Sequence, residues 1–327
     1  MSIKIIKPGV LASLQDGGRN GHRAIGIGSG GAMDLFAMRV ANYLCGNDDD
    51  KAVIELNFPA PEIMFTQDAM ISLTGADFAA MLDEISIPTW RTVFVKKDSV
   101  LKFKQPVSGS KAYLAVFGGW NAESWLGSYS TQLKVGAGGH QGRALQKDDT
   151  IDLPANNFSF EANKVLPWNI SDIELDKIYQ PSNNIRCVKG VEYELLTETS
   201  KQHFSQQKFT ISNQSDRMGY RLSNEPLRLH QPTELISSPV DAGIVQLLPD
   251  GNCIVLMADH QTTGGYPRIA SVIKADLPKL AQLKPGQSLK FTMVSLQEAE
   301  DSFLYMQQML REIRSAITIT LKTYLRQ

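Results

Sequence analysis

Apolar residues in this chain alternate with polar ones, or form short unbroken runs, over most of its length. The opening segment alternates Ile3, Lys4 and Ile5, the period of a strand with one buried face. Residues 69–74, 92–95, 100–103, 112–117, 254–257 and 288–294 read the same way. Gly, Pro, Asp or Asn bounds most of them, as in antiparallel β structure. Helical spacing is rarer. Residues 34–44 carry Leu35, Met38, Val40, Ala41 and Leu44 and stop before Gly46, while residues 270–283 predict a second helix interrupted at Pro278. The longest periodic stretch, 297–325, contains no Pro or Gly. Phe303, Met306, Leu310, Ile313, Ile317 and Leu321 recur there at intervals of three and four, with Ser295 as the cap. This amphipathic helix packs on its own domain or docks on another subunit. Many short strands around two or three helices predict a mainly β protein built of mixed barrels, not a doubly wound parallel sheet.

Between 153 and 184 the chain turns polar and rich in Pro and Asn (Pro154, Asn156, Asn157, Asn169, Pro181, Asn183, Asn184), which predicts the connection between two halves. Those halves echo each other. Residues 38–42 align with 220–224 and residues 71–77 with 253–259. The same interval separates Arg39 from Arg221, Asp77 from Asp259, Ile54 from Ile236 and Ile63 from Val245. Residues 97–103 echo 284–291 at a slightly larger interval. Blocks repeated in the same order predict an internal duplication. The expected organisation is a domain at 1–155, a linker at 156–184, a second domain at 185–296 and the helix at 297–327.

Composition narrows the partners. At 327 residues and 43% hydrophobic, the chain can bury two ordinary cores. Its 33 Lys and Arg against 34 Asp and Glu leave no cationic surplus for nucleic acid. No run approaches the roughly 20 apolar residues of a membrane span, and the first residues are too short an apolar run for a secretory signal. Cys45, Cys187 and Cys253 form no CxxC pair and fit a reducing, cytoplasmic setting as small buried residues. The five histidines lack HxxxH or HExxH spacing, so no metal site is expected.

The richest segment for chemistry is 258–267, Ala-Asp-His-Gln-Thr-Thr-Gly-Gly-Tyr-Pro. Asp259 and His260 point to opposite faces of a regular strand, so both serve one site where the strand ends before Gly264 and Gly265. His260 is the candidate proton carrier, with Asp259 to orient it or hold an ammonium group. Gln261, Thr262 and Thr263 can donate to a carboxylate or phosphate, and Tyr266 adds a phenol. Residues 215–221 add Ser215, Asp216, Arg217 and Arg221. On a helical turn the two arginines share a face, suited to a planar anion. The alternative is an ion pair between Asp216 and one arginine. Two Gly-rich loops, at Gln15-Asp16-Gly17-Gly18-Arg19 and at 26–34, lead into the first helix through Met33 and Asp34. Helix N-terminal N–H groups suit an anion there, or Asp34 simply caps the helix. No GxxxxGK[ST] or GxSxG occurs, so neither a P-loop nor a nucleophile elbow is present.

These segments, in this order, resemble one family over residues 1 to about 296: the carboxyltransferase domain of biotin-dependent urea carboxylase (urea amidolyase, allophanate hydrolase subunit 2) and the C subunit of 5-oxoprolinase. An antagonist of a sporulation-kinase inhibitor also belongs to it. The resemblance implies two tandem cyclophilin-like β-barrel domains. It also implies a site at Asp259, His260, Gln261, Thr262 and Tyr266, faced by Ser215, Asp216 and Arg217, with Gln15, Asp16, Met33 and Asp34 in its other segments. Residues 28–31 replace a more usual Pro-containing approach to Met33, and the terminal helix runs beyond the family's usual end. Without a Met-Lys biotin attachment dipeptide in a small β domain or an ATP-grasp-sized region, the chain resembles the oxoprolinase members more than the biotin enzymes. That implies ATP-dependent opening of 5-oxo-L-proline to L-glutamate, with ADP and phosphate released. The chain would be inactive alone and act with a B-type cyclophilin-like subunit and an A-type subunit, with ATP bound by the assembly. The alternatives are a carboxyltransferase served by a separate biotin-bearing partner, or a non-catalytic antagonist of a kinase inhibitor.

Overall fold

Ile3 and Ile5 are fully buried in the strand Ser2–Lys7, as their alternation with lysine dictates. The computed structural model describes residues 2–180, 182–231, 233 and 235–325. The expectations that reach Met1, Pro181, Arg326 and Gln327 lie outside the described residues. Contacts divide the chain into two compact units. The first holds residues up to Arg19, Gly30–Asp172 and the chain from Gln308 onward; the second holds Asn20–Ser29 and Ile173–Gln307. Neither is the contiguous block expected from sequence.

The first unit is built from two six-stranded sheets. One runs in the order Thr150–Asp152, Ser2–Lys7, Glu62–Phe65, Val100–Phe103, Ala80–Leu82, Ile85–Ser86. The other runs Lys164–Val165, Arg91–Val95, Ala69–Asp77, Ser108–Val116, Val53–Leu56, Ala12–Gln15. Ile3, Ile5, Leu14, Ile54, Ile63 and Phe65 form part of the shared apolar core. The helix Leu35–Leu44 is tied to the second of these sheets by hydroxyls. Ser72 donates to the Ala41 carbonyl, Thr74 to Ala37 and Thr92 to Leu44, each at 2.7 Å. Strand hydroxyls thus satisfy carbonyls of a helix whose apolar face is buried.

The stretch expected as a linker is largely structured. Phe158 and Phe160 stack on Phe94, with ring centroids 6.4 and 4.2 Å away, and Lys164–Val165 pairs with Arg91–Val95. Asp172–Tyr179 is helical. Aromatic residues spaced along a polar segment anchored it here; the composition of the segment as a whole concealed that.

The second unit is a closed seven-stranded barrel: Asn184–Lys189, Arg268–Val272, Ile244–Leu247, Cys253–Leu256, Gly219–Ser223, Phe209–Ile211 and Ser288–Met293, the last returning parallel to the first. Phe204, Phe209 and Phe291 pack in its core, with Phe204 and Phe291 stacked at 4.9 Å. The helix expected at 270–283 is instead the end of the strand Arg268–Val272, a 3-10 turn at Lys274–Asp276 and the short helix Leu277–Ala281. Pro278 sits in the first turn of that helix, where its missing N–H costs nothing, so it starts a helix and does not interrupt one.

The repeated blocks fare unevenly. Residues 71–77 and 253–259 begin on strands, as do Ile63 and Val245, and 100–103 and 288–291 are both strand. Residues 38–42, however, are helical while 220–223 are strand, and Ile54 lies on a strand while Ile236 is 94% exposed outside any. Five residues are too few to separate a period of two from one of 3.6.

Leu296–Tyr324 is one helix. Its start is a capping box: Glu298 accepts from the Ser295 N–H at 2.7 Å, and the Ser295 hydroxyl accepts from the Glu298 N–H at 3.2 Å. Within the second unit, Arg186 donates to Ser302 of this helix at 2.9 Å. Within the first, Arg314 reaches Asp48 and Asp49 at 2.9 and 2.8 Å, and Tyr324 lies against Phe94 and Trp168. No helix among the described residues is long and apolar enough to cross a membrane.

Candidate functional site

In the second unit, the strand Cys253–Leu256 ends and the chain turns at Ala258 and Asp259, so the expected break in strand geometry occurs where Asp259 and His260 need it. The two side chains then part company. Arg217 lays its fork on Asp259, Nε to Oδ2 at 2.8 Å and Nη2 to Oδ1 at 3.2 Å, and both side chains are almost wholly buried. Backbone bonds reinforce the match: the Asp259 N–H donates to the Arg217 carbonyl and that of Met257 to Met218. Asp259 therefore holds an arginine and does not orient His260.

The carboxylate beside His260 is Asp241, which no local sequence pattern singles out. His260 Nδ1 lies 2.6 Å from the Gln261 carbonyl, and since a carbonyl only accepts, Nδ1 carries the hydrogen. Nε2 then faces Asp241 Oδ1 at 3.6 Å, too long for a hydrogen bond. Contact with the His260 ring holds the Asp241 carboxyl down to about 2. The Ala242 N–H and Arg23 add to this and burial opposes it. Arg23 lies 3.7 Å from Asp241 and also donates to the Val240 carbonyl. The His260 side chain is fully buried, whereas that of Asp241 is 58% exposed, so Asp241 is the solvent end of this pair. Gly28, from the segment carrying Arg23, passes so near that a Cβ would come within 2.9 Å of the His260 carbonyl oxygen.

Ser215 and Asp216 fold the turn that presents Arg217. Asp216 Oδ1 accepts from the N–H groups of Met218 and Gly219 at 2.8 and 3.2 Å, and Ser215 Oγ accepts from the Arg221 N–H at 3.0 Å. The turn is not helical. Arg217 is buried and Arg221 exposed, so the two arginines do not share a face.

A cleft of about 440 Å³ opens in this unit, lined by Asp216, Arg221, Gln246, Gln261 and Tyr266 among others. Of the expected residues, Asp216, Gln261 and Tyr266 meet in its wall, while Arg217, Asp259 and His260 support the segments that carry them. Thr262 lends its carbonyl to the Val240 N–H, and Thr263 is exposed on the short strand Thr263–Gly264 paired with Ser238–Pro239. A larger hollow of about 800 Å³, walled chiefly by apolar side chains such as Leu227, Leu235 and Leu247, shares Tyr266. Gln246, fully buried on the strand Ile244–Leu247, is a second residue that sequence reasoning missed.

The remaining expected residues lie in the first unit. Asp16 is saturated: Oδ1 accepts from the Gly18 N–H and the hydroxyls of Ser128 and Ser130, and Oδ2 from the Tyr129 N–H at 2.5 Å. Gln15 donates to Ser13 at 2.9 Å. Asp34 caps the first helix, accepting from the Ala37 N–H at 2.9 Å. The Met33 N–H donates to Glu55 and that of Asp34 to the Tyr113 hydroxyl, both at 2.8 Å. Protein acceptors thus take these N–H groups, and the capping reading prevails over the anion site. Burial, with Glu55 and Asp34 nearby, holds the Tyr113 phenol well above its usual range. Burial likewise pushes the Cys45 and Cys187 thiols up to about 12, which leaves them unreactive.

Comparison with known proteins defines the class. Residues 25–293 match the family described as carboxyltransferase domain, subdomain A and B, and the chain belongs to that family. It is 39% identical over 314 residues to the C subunit of 5-oxoprolinase from Escherichia coli (strain K12), covering 94% of this chain and 97% of that protein. It is 38% identical over 288 residues to the corresponding 5-oxoprolinase protein of Haemophilus influenzae, covering 88% and 90%. The crystal structure of the K. lactis urea amidolyase shares the fold at a TM-score of 0.86 and 24% identity, covering 95% of this chain and 20% of that one.

Proposed function

We propose that this chain is the C-type subunit of an ATP-dependent 5-oxoprolinase, opening 5-oxo-L-proline to L-glutamate together with a B-type and an A-type subunit in the cytoplasm. The observation that carries this reading is the match to the E. coli 5-oxoprolinase protein across 97% of its length. The cleft supports it: about 440 Å³ suits a small substrate, and Gln261, Tyr266 and Gln246 set polar groups in a largely apolar wall. Gln261, held by the bond from its carbonyl to His260 Nδ1, binds substrate. His260, with its Nε2 3.6 Å from Asp241, is the proton carrier in this reading. Arg217 and Asp259 act as positioning residues for the two segments. ATP is a substrate of the assembly, and phosphorylation of the lactam oxygen would turn a stable amide into one that water opens.

A second reading, a carboxyltransferase served by a biotin-bearing partner, is favoured by the family description itself. ADP release by the assembly purified with its partner subunits separates the two. Stimulation by 5-oxoproline and none by urea supports the oxoprolinase. Stimulation by urea, with avidin capture of a partner, supports the second reading.

A further inference from the structure

We infer that Gln246 reads the amide edge of the ligand: the cleft takes a small planar cis-amide, a lactam or a urea, through a reciprocal pair of hydrogen bonds with the Gln246 carboxamide. The inference rests on the oxoprolinase reading in taking 5-oxoproline as the first such ligand.

Gln246 lies fully buried between Val245 and Leu247 on a barrel strand, yet neither its Nε2 nor its Oε1 has a hydrogen-bond partner. Buried amides in folded proteins are satisfied almost without exception, so an orphaned one needs a reason. Its place in the wall of the cleft supplies one: both atoms are shut off from solvent, and a turn of the side chain into the cleft presents them to a ligand. Gly264 makes room for this. A Cβ at that position would come within 2.5 Å of Gln246 Nε2 and 3.5 Å of Gln261 Nε2, so two amide nitrogens converge on one glycine.

A carboxamide presents an N–H donor and a C=O acceptor side by side. A lactam is locked cis by its ring and offers the complementary C=O and N–H along one edge, as does urea. An ordinary peptide bond is trans and points the two groups in opposite directions, so the same side chain rejects it. An amino acid such as proline lacks the lactam carbonyl and cannot close the pair. Gln246 is therefore a binding residue that selects for amide geometry, and the chemistry of ring opening falls to other groups.

The test titrates the chain, co-purified with its partner subunits, with 5-oxoproline, 2-pyrrolidinone, urea and L-proline, as wild type and as Gln246→Leu and Gln246→Glu. Gln246→Leu is expected to weaken every cis-amide by about 100-fold, the loss of two hydrogen bonds, with proline bound by none of the proteins. Its melting temperature holds or rises, because an apolar side chain replaces an unsatisfied amide. Gln246→Glu keeps the acceptor, loses the donor and falls between. Unchanged affinity in Gln246→Leu overturns the inference even where 5-oxoproline drives normal ADP release, and so does a wild type that binds none of the cis-amides. Pyrrolidinone or urea binding that disappears in Gln246→Leu, in an assembly 5-oxoproline does not stimulate, upholds the inference and overturns the oxoprolinase reading instead.

Discussion

Arg217 and Asp259 form a two-point ion pair at 2.8 and 3.2 Å, with both side chains less than a tenth exposed. The pair joins the turn at 215–219 to the segment that carries His260 and Gln261. Its geometry answers why a carboxylate stands beside His260 in the chain yet serves another residue.

Removing one partner is expected to cost more than removing both. Asp259→Ala removes the carboxylate that takes two of the buried guanidinium's bonds and should lower the unfolding free energy by about 3 kcal/mol. Arg217→Met combined with Asp259→Leu should recover much of that. Denaturant titration of the single and double variants checks it; losses that simply add would show that the two side chains are not coupled.

Acid stability should carry the mark of Asp241. Its folded carboxyl is held down to about 2, below the roughly 3.9 of an unfolded aspartate, so the folded state favours the charged form. The contribution is fully present above about pH 4 and is lost as pH falls through 2. Asp241→Asn should flatten the stability profile across that window. Chemical denaturation at a series of pH values reads this directly.

Gly264→Ala tests the space around Gln246 without changing that residue. The new Cβ meets the far end of a flexible residue, so stability should change by no more than about 1 kcal/mol. The displaced amide should nevertheless raise the KM for 5-oxoproline at least several-fold with little effect on kcat, measured in the reconstituted assembly.

Along the terminal helix, apolar contacts outweigh the ion pairs. Leu321 is 4% exposed, and Leu321→Ala should cost about 2–4 kcal/mol. Arg314, though it meets both Asp48 and Asp49, is 47% exposed, and Arg314→Ala should cost less than about 1 kcal/mol. Unfolding midpoints of the two variants, compared at low and high salt, separate the effects.

Residues whose neighbours lie close in sequence were legible. The alternation at Ile3 and Ile5, the Asp34 cap and the Ser295-Glu298 helix start each depend on partners within a few positions. The Gly264-containing segment was legible too, because so many functional groups crowd it. What escaped depended on partners far along the chain. Asp241 meets His260 from a loop with no pattern of its own, and Arg217 reaches Asp259 across the barrel strands Gly219–Ser223 and Cys253–Leu256. Gln246 left a faint trace, a lone polar residue amid Ile244, Val245 and Leu247, but nothing local separates a buried amide from an exposed one. The 270–283 region misled because Pro278 reads as a helix breaker until its place in the first turn is known.

The interleaving of the two units bears on how the protein is made. Residues 20–29 belong to the second unit, and the chain from Gln308 onward belongs to the first. During synthesis the first unit can form its sheets early, but Met309, Leu310, Ile317 and Leu321 reach their buried positions only after the ribosome has passed residue 308. The second unit likewise needs Arg23, made long before its barrel. Cutting the gene between residues 172 and 173 would therefore yield two fragments, each missing a piece that the other encodes.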